Sequence, residues 1–239
     1  MPRQNSTAAA IQKALRKLAD PVGAKQAAHF FKTGPGQYGE GDIFWGLSVP
    51  DQRTIAKQYL NLPLSEIQIL LNHKIHEQRL TALLILVYQF KKADEKTQKK
   101  IYQFYLKNTR RINNWDLVDT SARDIVGEYM IAHPAERKKL YRLVKSKNLW
   151  ERRIAIIASF AFIREKDFTD TLKLSELLLN DHEDLMHKAV GWMLREVGKR
   201  DVTVLTKFLQ THKTNLPRTA LRYAIEHFPP EIRKKYLAK

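Results

Sequence analysis

The chain has 239 residues, of which 44% are hydrophobic, so it can bury a sizeable core and does not have the composition of a disordered protein. Lysine and arginine number 42 against 25 aspartate and glutamate, and the formal charge of +17 favours a polyanionic partner. The absence of cysteine excludes disulfides, thiolate metal sites and cysteine nucleophiles. No run reaches about eighteen apolar residues and the first ten residues lack the layout of a secretory signal, so we expect a cytoplasmic protein without a membrane partner.

Taken in chain order, almost every apolar block has helical spacing, and none shows the sustained alternation of a strand. The glycine-rich residues 32–42 predict a loop, and Ser65 has the position of an N-cap. Pro134 and Pro217 stand where helices begin, and the apolar residues 154–163 predict a buried core helix. We expect roughly thirteen helices, most of them about 10 to 18 residues long.

Apolar helices that carry an inward-facing alanine recur at regular intervals along the chain. The intervals are 40, 33, 34 and 31 residues, and each holds two helices; the alanines are Ala82, Ala122, Ala155, Ala189 and Ala220. This rhythm predicts an all-α protein, an α-solenoid of HEAT-like repeats that forms one domain over residues 1–239. Such a stack presents a concave face, here basic, that suits a rod-like ligand. The alternative is an irregular helical globule.

The basic charge is clustered in two runs. Residues 99–113 hold five basic residues, including Arg111, and no acidic one; residues 137–153 hold eight against a single glutamate. A charge run is ordinarily a solvated helix face. Arg152 and Arg153 nevertheless stand at the start of an apolar helix, where a planar guanidinium can bind phosphate oxygens. We therefore expect duplex DNA as the partner, bound by a monomer, with affinity that falls steeply with salt.

Residues 113–123 are the segment whose side chains best suit chemistry. Trp115 and Asp119 are four residues apart, so a helix places them one turn apart on the same face. Asp116 fits the ordinary role of an acidic residue in a first helical turn. Asp119 lies further in, and the spacing leaves two roles open: an ion pair with Arg123 at the next turn, or a functional carboxylate.

The eight histidines are scattered, and they offer no metal-binding pattern. His73 and His76 are three residues apart, but no third ligand follows at a suitable spacing. We expect surface or capping histidines, no metal and no cofactor. Dinucleotide, phosphate-loop and nucleophile-elbow motifs are also absent from the sequence.

Three motifs together resemble a known family. They are Trp-Asp-x-Val-Asp at residues 115–119, Trp-x-x-Arg at residues 150–153, and Gly-Trp-x-Leu-Arg-Glu at residues 191–196, which follows Lys188. In order and spacing they are similar to those of the AlkD-type DNA glycosylases, the bacterial DNA alkylation repair family of HEAT-like fold. The likeness runs from about residue 24 to the end of the chain.

The resemblance implies a role for each matching residue. Asp119 would be the catalytic carboxylate, Trp115 and Trp192 would cradle the deoxyribose, and Arg153 would grip the DNA backbone. A family aromatic, usually tyrosine, falls at Phe30, so the hydroxyl is missing here. With the basic residues described above, the expected DNA-binding set is Arg153, Arg152, Phe30, Lys188 and Arg111.

The implied reaction is hydrolysis of the N-glycosidic bond of a cationic 3- or 7-alkylpurine in duplex DNA, without flipping of the base. One alternative is a non-catalytic HEAT-like protein that binds damaged or distorted nucleic acid with the same face. Another is a helical protein-binding scaffold that is incidentally basic.

Overall fold

The computed structural model describes residues 6–238, which are mostly helical. These residues form no strand, and their nearest approach to a sheet is one isolated parallel bridge between Ile43 and Ile75. The predicted all-α fold is therefore confirmed. By their packing, the described residues divide into two compact units, one ending at Ile125 and the other beginning at Val126.

In the first unit, successive helices pack on one another as in a solenoid. Helix α5 is central and contacts α3, α4, α6 and α7, while α1 packs on α3 and α4. The helices are α1 (Ala8–Lys17), α2 (Pro21–Phe30), α3 (Val49–Gln58), α4 (Leu64–Leu71), α5 (His76–Lys92), α6 (Glu95–Lys107) and α7 (Trp115–Ala122). A 3-10 turn at Thr109–Arg111 precedes α7, and a π-helical turn at Arg123–Gly127 follows it.

The second unit repeats this plan around helix α13, which contacts α10, α12, α14 and α15. A 3-10 helix, Pro134–Lys139, connects its first two α-helices. The helices are α8 (Glu128–Ala132), α9 (Leu140–Leu143), α10 (Leu149–Ala158), α11 (Phe160–Arg164), α12 (Thr169–Leu177), α13 (Asp184–Gly198), α14 (Val202–His212), α15 (Arg218–Ala224) and α16 (Pro230–Leu237). Several helices of both units are shorter than the predicted 10 residues.

The inward-facing alanines are confirmed. All five of the predicted positions are fully buried, and they lie on α5, α7, α10, α13 and α15. A methyl group at these points lets neighbouring helices approach closely, which is how a helical stack buries a continuous core. Residues 154–163 are buried as predicted except for the partly exposed Phe160, and a break at Ser159 divides the segment between α10 and α11.

The predicted helix boundaries are partly right. Pro134 begins the 3-10 helix and Pro217 caps α15, as expected. The N-cap prediction for Ser65 is wrong, because α4 begins one residue earlier and Pro63 occupies the cap. The neighbouring Glu66 has a tertiary role instead: its Oε2 accepts a hydrogen bond from the backbone N–H of Ala8, 2.7 Å away, at the start of α1.

The glycine-rich residues 32–42 form a loop, as predicted. The loop folds back on itself through a hydrogen bond from the Gly39 N–H to the Lys32 carbonyl at 3.1 Å. A side chain at Gly39 would collide with the Phe31 carbonyl, and Gly41 has a positive φ of 84°. The glycines therefore allow a tight path that ends at Asp42, a buried carboxylate.

Candidate active site

Helix α7 positions the two side chains that the sequence marks for chemistry. Asn114 is fully buried, and its Oδ1 accepts the backbone N–H of Trp115 at 2.8 Å, which fixes where the helix begins. Trp115 and Asp119 both lie within α7 and are half-buried. The predicted arrangement, one turn apart on one helix, is therefore present.

Aromatic rings surround Trp115. Phe31 stacks on its indole with ring centroids 5.2 Å apart and an interplanar angle of 17°. Phe30 meets the indole edge-on at 5.9 Å and is 63% exposed. The structure thus brings Phe30 to Trp115 and leaves an apolar ring facing solvent beside it. Phe31, which the motifs did not predict, is the ring in stacked contact.

A buried charged cluster lies beside these rings, consisting of Asp42, His76 and Asp116. His76 Nδ1 lies 3.1 Å from Asp42 Oδ2, and His76 Nε2 lies 2.7 Å from Asp116 Oδ2. His76 is only 2% exposed, so the prediction of a surface or capping histidine is wrong for this residue. Burial alone would lower the pKa of His76, but the charge and hydrogen bond of Asp116 and the hydrogen bond to Asp42 raise it to about 9.

Asp42 joins this cluster to the start of α7. Its Oδ1 accepts a hydrogen bond from Arg79 at 2.6 Å, and its Oδ2 accepts one from the side-chain amide of Asn114 at 3.0 Å. Burial opposes ionisation of Asp42, but the hydrogen bond from His76 and the positive charge of Arg79 outweigh it and lower the pKa of Asp42. Asp42 is therefore ionised and holds the residue that caps α7.

Two fully buried hydroxyl groups lie close enough to Asp119 to be influenced by its charge. Tyr105 and Ser121 lie 2.9 Å apart between their hydroxyl oxygens, and neither is exposed. Burial raises the pKa of Tyr105, and the negative charge of Asp119 adds to this effect. The phenol therefore stays neutral. The neighbouring Arg123 binds Asp124 through two guanidinium nitrogens, at 3.0 and 2.6 Å from Oδ1, a partner that the spacing did not suggest.

In the second unit, Arg153 and Trp192 lie on the packed helices α10 and α13. Arg153 is 5% exposed, and its guanidinium donates a hydrogen bond to the Leu185 carbonyl at 2.5 Å. Trp192 is half-buried and meets Phe160 edge-on at 5.8 Å. Gly191 lies against the Ala220 carbonyl of α15, so the absence of a side chain allows these two helices to pack closely.

The remaining predicted DNA-binding residues differ in their surroundings. Arg152 binds Asp181 through two nitrogens, at 2.6 and 3.2 Å, and also donates to the carbonyls of residues 146 and 147. Lys188 pairs with Asp184 at 2.8 Å on the same helix. Arg111 lies exposed in the 3-10 turn before α7. This geometry gives Arg152 a structural role that the sequence did not reveal.

Within residues 6–238, no group of three or more histidine, aspartate or glutamate side chains is arranged to hold a metal ion. None of the helices in the same range combines the length and apolar character needed to cross a membrane.

The chain is thus an all-α protein in which one helix carries Trp115 and Asp119 a turn apart. The model of the family described as DNA alkylation repair enzyme matches residues 11–228, so the chain belongs to this family. The resemblance drawn from the three motifs is thereby confirmed at the family level. No curated protein sequence matches the chain.

Solved structures give the same fold. A chain from Enterococcus faecalis, described as a predicted DNA alkylation repair enzyme, is 18% identical with a TM-score of 0.71, and the match covers 89% of this chain and 97% of that one. The smu.31 protein of Streptococcus mutans UA159 is 16% identical with a TM-score of 0.51, over 98% and 95% of the two chains.

Proposed function

We propose that this protein is a DNA glycosylase that removes cationic alkylated purines, 3- and 7-alkylpurines, from duplex DNA and leaves an abasic site. It hydrolyses the N-glycosidic bond without flipping the base, and it acts as a monomer in the cytoplasm. Family membership supports DNA repair. The observation that carries the specific reaction is a half-buried carboxylate, Asp119, one helical turn from the indole of Trp115.

The chemistry of the lesion accounts for this pair of side chains. An alkylated purine already carries a positive charge, so it leaves readily, and little acid catalysis is needed. Positive charge instead develops on the deoxyribose as the bond breaks, as it does in glycoside hydrolysis. The Asp119 carboxylate stabilises that charge and orients the attacking water, while the indole face of Trp115 attracts the cation.

The aromatic surroundings of Trp115 support a role beside the sugar. Phe31 stacks on one face of the indole, so this ring cannot turn without breaking a packed contact. Phe30 extends an exposed apolar surface next to it. In this proposal Phe30 contacts the DNA backbone through van der Waals contact alone, because it lacks the hydroxyl that a tyrosine would offer to phosphate.

The positive charge of the chain supports the choice of DNA as substrate. We assign phosphate contacts to Arg153, Arg111 and Lys188, and we assign the general attraction to the surplus of +17. Arg152 contributes by holding its own segment in place, since its guanidinium is bound to Asp181. Contacts of this kind recognise the backbone and sugar and carry no information on sequence.

Base release tests the proposal. Wild-type protein is incubated with a duplex carrying 7-methylguanine and, separately, with a duplex carrying hypoxanthine, a neutral lesion base. We expect free 7-methylguanine and no hypoxanthine, because only the cationic base leaves without an acid catalyst. Release of hypoxanthine would contradict the proposed chemistry.

The same samples separate the alternatives when DNA affinity is measured at several salt concentrations. Salt-dependent binding without release of 7-methylguanine would replace the glycosylase with a binding module for damaged duplexes. Absent or salt-insensitive binding would leave only a protein-binding scaffold.

A further inference from the structure

Both ring nitrogens of His76 face carboxylate oxygens. Nδ1 lies 3.1 Å from Asp42 and Nε2 lies 2.7 Å from Asp116. Ionised carboxylates only accept hydrogen bonds, whereas a neutral imidazole donates from one nitrogen alone. Both contacts are hydrogen bonds only if both nitrogens carry protons, so the geometry calls for an imidazolium. This buried cation lies between two elements that are far apart in sequence.

The two carboxylates that His76 joins flank Trp115 in the structure. Asp116 directly follows Trp115 in the first turn of α7. Asp42 binds the side chain of Asn114, and that side chain in turn caps the Trp115 backbone N–H. One imidazolium therefore holds α7 directly through Asp116 and indirectly through Asp42.

The imidazole is also packed against the rings next to Trp115. Phe44 stacks on His76 with centroids 4.6 Å apart, and Phe31 lies 5.1 Å away from it. Phe31 is the ring that stacks on Trp115. These aromatic faces keep water from the charged pair and couple the position of the imidazole to that of the indole.

We propose that His76 is a positioning residue for base release: as an imidazolium bonded to Asp42 and Asp116, it fixes the first turn of α7 and so orients Trp115 and Asp119. This inference rests on the proposed function. It assigns no contact with substrate to His76. The role follows from geometry, since a misplacement of about 1 Å at a reacting group can cost on the order of 10²-fold in rate.

The charged groups around His76 determine the pH at which the imidazolium loses its proton and no longer holds α7 in place. Asp42 comes from the loop, Asp116 from α7, and Arg79 from the same helix as His76. Glu77, next in sequence, turns its carboxylate to the backbone N–H groups of residues 45–47. The two carboxylates outweigh Arg79, and the pKa of about 9 keeps His76 charged at neutral pH. Its effect on the reaction is therefore lost as the pH rises through about 9.

Rates of 7-methylguanine release under single turnover test the proposal between pH 6.5 and 10, after subtraction of uncatalysed release. We expect a wild-type rate that falls as the pH passes about 9. His76→Gln cannot become charged, so its rate at pH 7.5 falls on the order of 10²-fold and its alkaline limb disappears. The control is His227→Gln, which changes an exposed histidine of the second unit.

Asp116→Asn tests the titration in a chain that retains the histidine. The amide oxygen still accepts a hydrogen bond, but the charge that favours the imidazolium is gone. The alkaline limb should therefore move to lower pH. An alkaline limb at the same pH in wild type, His76→Gln and Asp116→Asn would overturn the assignment.

Nitrogen NMR of wild-type protein gives a readout that needs no activity. We expect both ring nitrogens of His76 to carry protons at pH 7.5, and the indole N–H resonance of Trp115 to move as His76 titrates. A neutral imidazole at pH 7.5, or an indole resonance that ignores the titration, would overturn the positioning role. If wild type releases no base, the proposed function fails, whereas the NMR result still decides whether His76 positions Trp115.

Discussion

The two units use buried charge in different ways. In the second unit, two half-buried arginines each bind a carboxylate about one repeat further along: Arg137 binds Asp167, 30 residues away, and Arg152 binds Asp181, 29 residues away. In the first unit the links have similar spans, 34 residues from Asp42 to His76 and 40 from His76 to Asp116. There, however, they converge on one histidine beside the candidate catalytic helix.

The ion pairs of the second unit stabilise the fold, whereas the charged cluster around His76 in the first unit also positions the candidate active site. Spans of 29 to 40 residues match the 31 to 40 residues between the inward alanines, so an ion pair of this kind ties one repeat to the next. An isolated pair between neighbouring repeats needs no other explanation. A histidine that binds a carboxylate through each ring nitrogen constrains the structure more than a single ion pair does. It restricts the orientation of α7 as well as the distance between α7 and the glycine-rich loop.

Local sequence patterns were sufficient to predict the helical framework. The helical period and the recurring alanines depend on residues three or four apart, and all five alanines are buried. The pairing of Trp115 with Asp119 on one helix followed from the same spacing. The N-cap prediction for Ser65 was wrong because Pro63, which also favours a helix start, occupies the cap two residues earlier.

Contacts between residues far apart in the chain could not be predicted from local sequence patterns. Asp42, His76 and Asp116 are separated by 34 and 40 residues, and no spacing rule connects them. The one available signal was the compact glycine-rich loop, which ends at Asp42 and must follow a defined path. The run of charge at residues 137–153 likewise did not distinguish Arg152, which is bound within the fold, from the surrounding exposed lysines.

Arg152→Ala tests most directly whether the ion pair between Arg152 and Asp181 stabilises the fold. Asp181 is left buried without its main partner, so we expect a loss of about 3 to 5 kcal/mol in the free energy of unfolding, measured by urea denaturation. Arg164→Ala is the matched control, because its ion pair with Glu128 is largely exposed. It should cost less than about 1 kcal/mol. Equal losses would contradict the division between buried and exposed pairs.

In the first unit, the pH dependence of stability reports on His76. Its pKa of about 9 in the folded chain lies above the ordinary value of about 6.5, so folding favours the protonated form. The contribution is complete below about pH 6.5, decreases as pH rises, and is lost above about pH 9. At about 1.4 kcal/mol per pKa unit, wild type should lose about 3 kcal/mol more than His76→Gln. Parallel curves for the two proteins would refute this account.

Arg153→Gln tests whether the second unit contributes a phosphate contact to DNA binding. The amide can still donate to the Leu185 carbonyl, but the charge is removed. We expect about tenfold weaker binding to every duplex sequence and a salt slope smaller by about 1. Arg222→Gln, which removes an exposed charge from α15, is the control and should change affinity less. A change in sequence preference would show that Arg153 does not contact phosphate.

The smallest expected effect comes from Phe30→Tyr. Phe30 is exposed, so the stability should change by less than about 0.5 kcal/mol. A hydroxyl that reaches a phosphate oxygen would strengthen DNA binding by about 1 kcal/mol. Fluorescence anisotropy against the same duplex measures this gain. Weaker binding by the tyrosine variant would mean that the apolar ring itself makes the contact.

The central claim is that Asp119 turns a DNA-binding surface into an active site. The direct measurement is the single-turnover release of 7-methylguanine by wild type and Asp119→Asn at saturating protein, with Asp51→Asn as an exposed control in the same unit. The account predicts release by wild type and the control, and a rate about 10³-fold lower for Asp119→Asn, which still binds the duplex. Release by Asp119→Asn at the wild-type rate would contradict it.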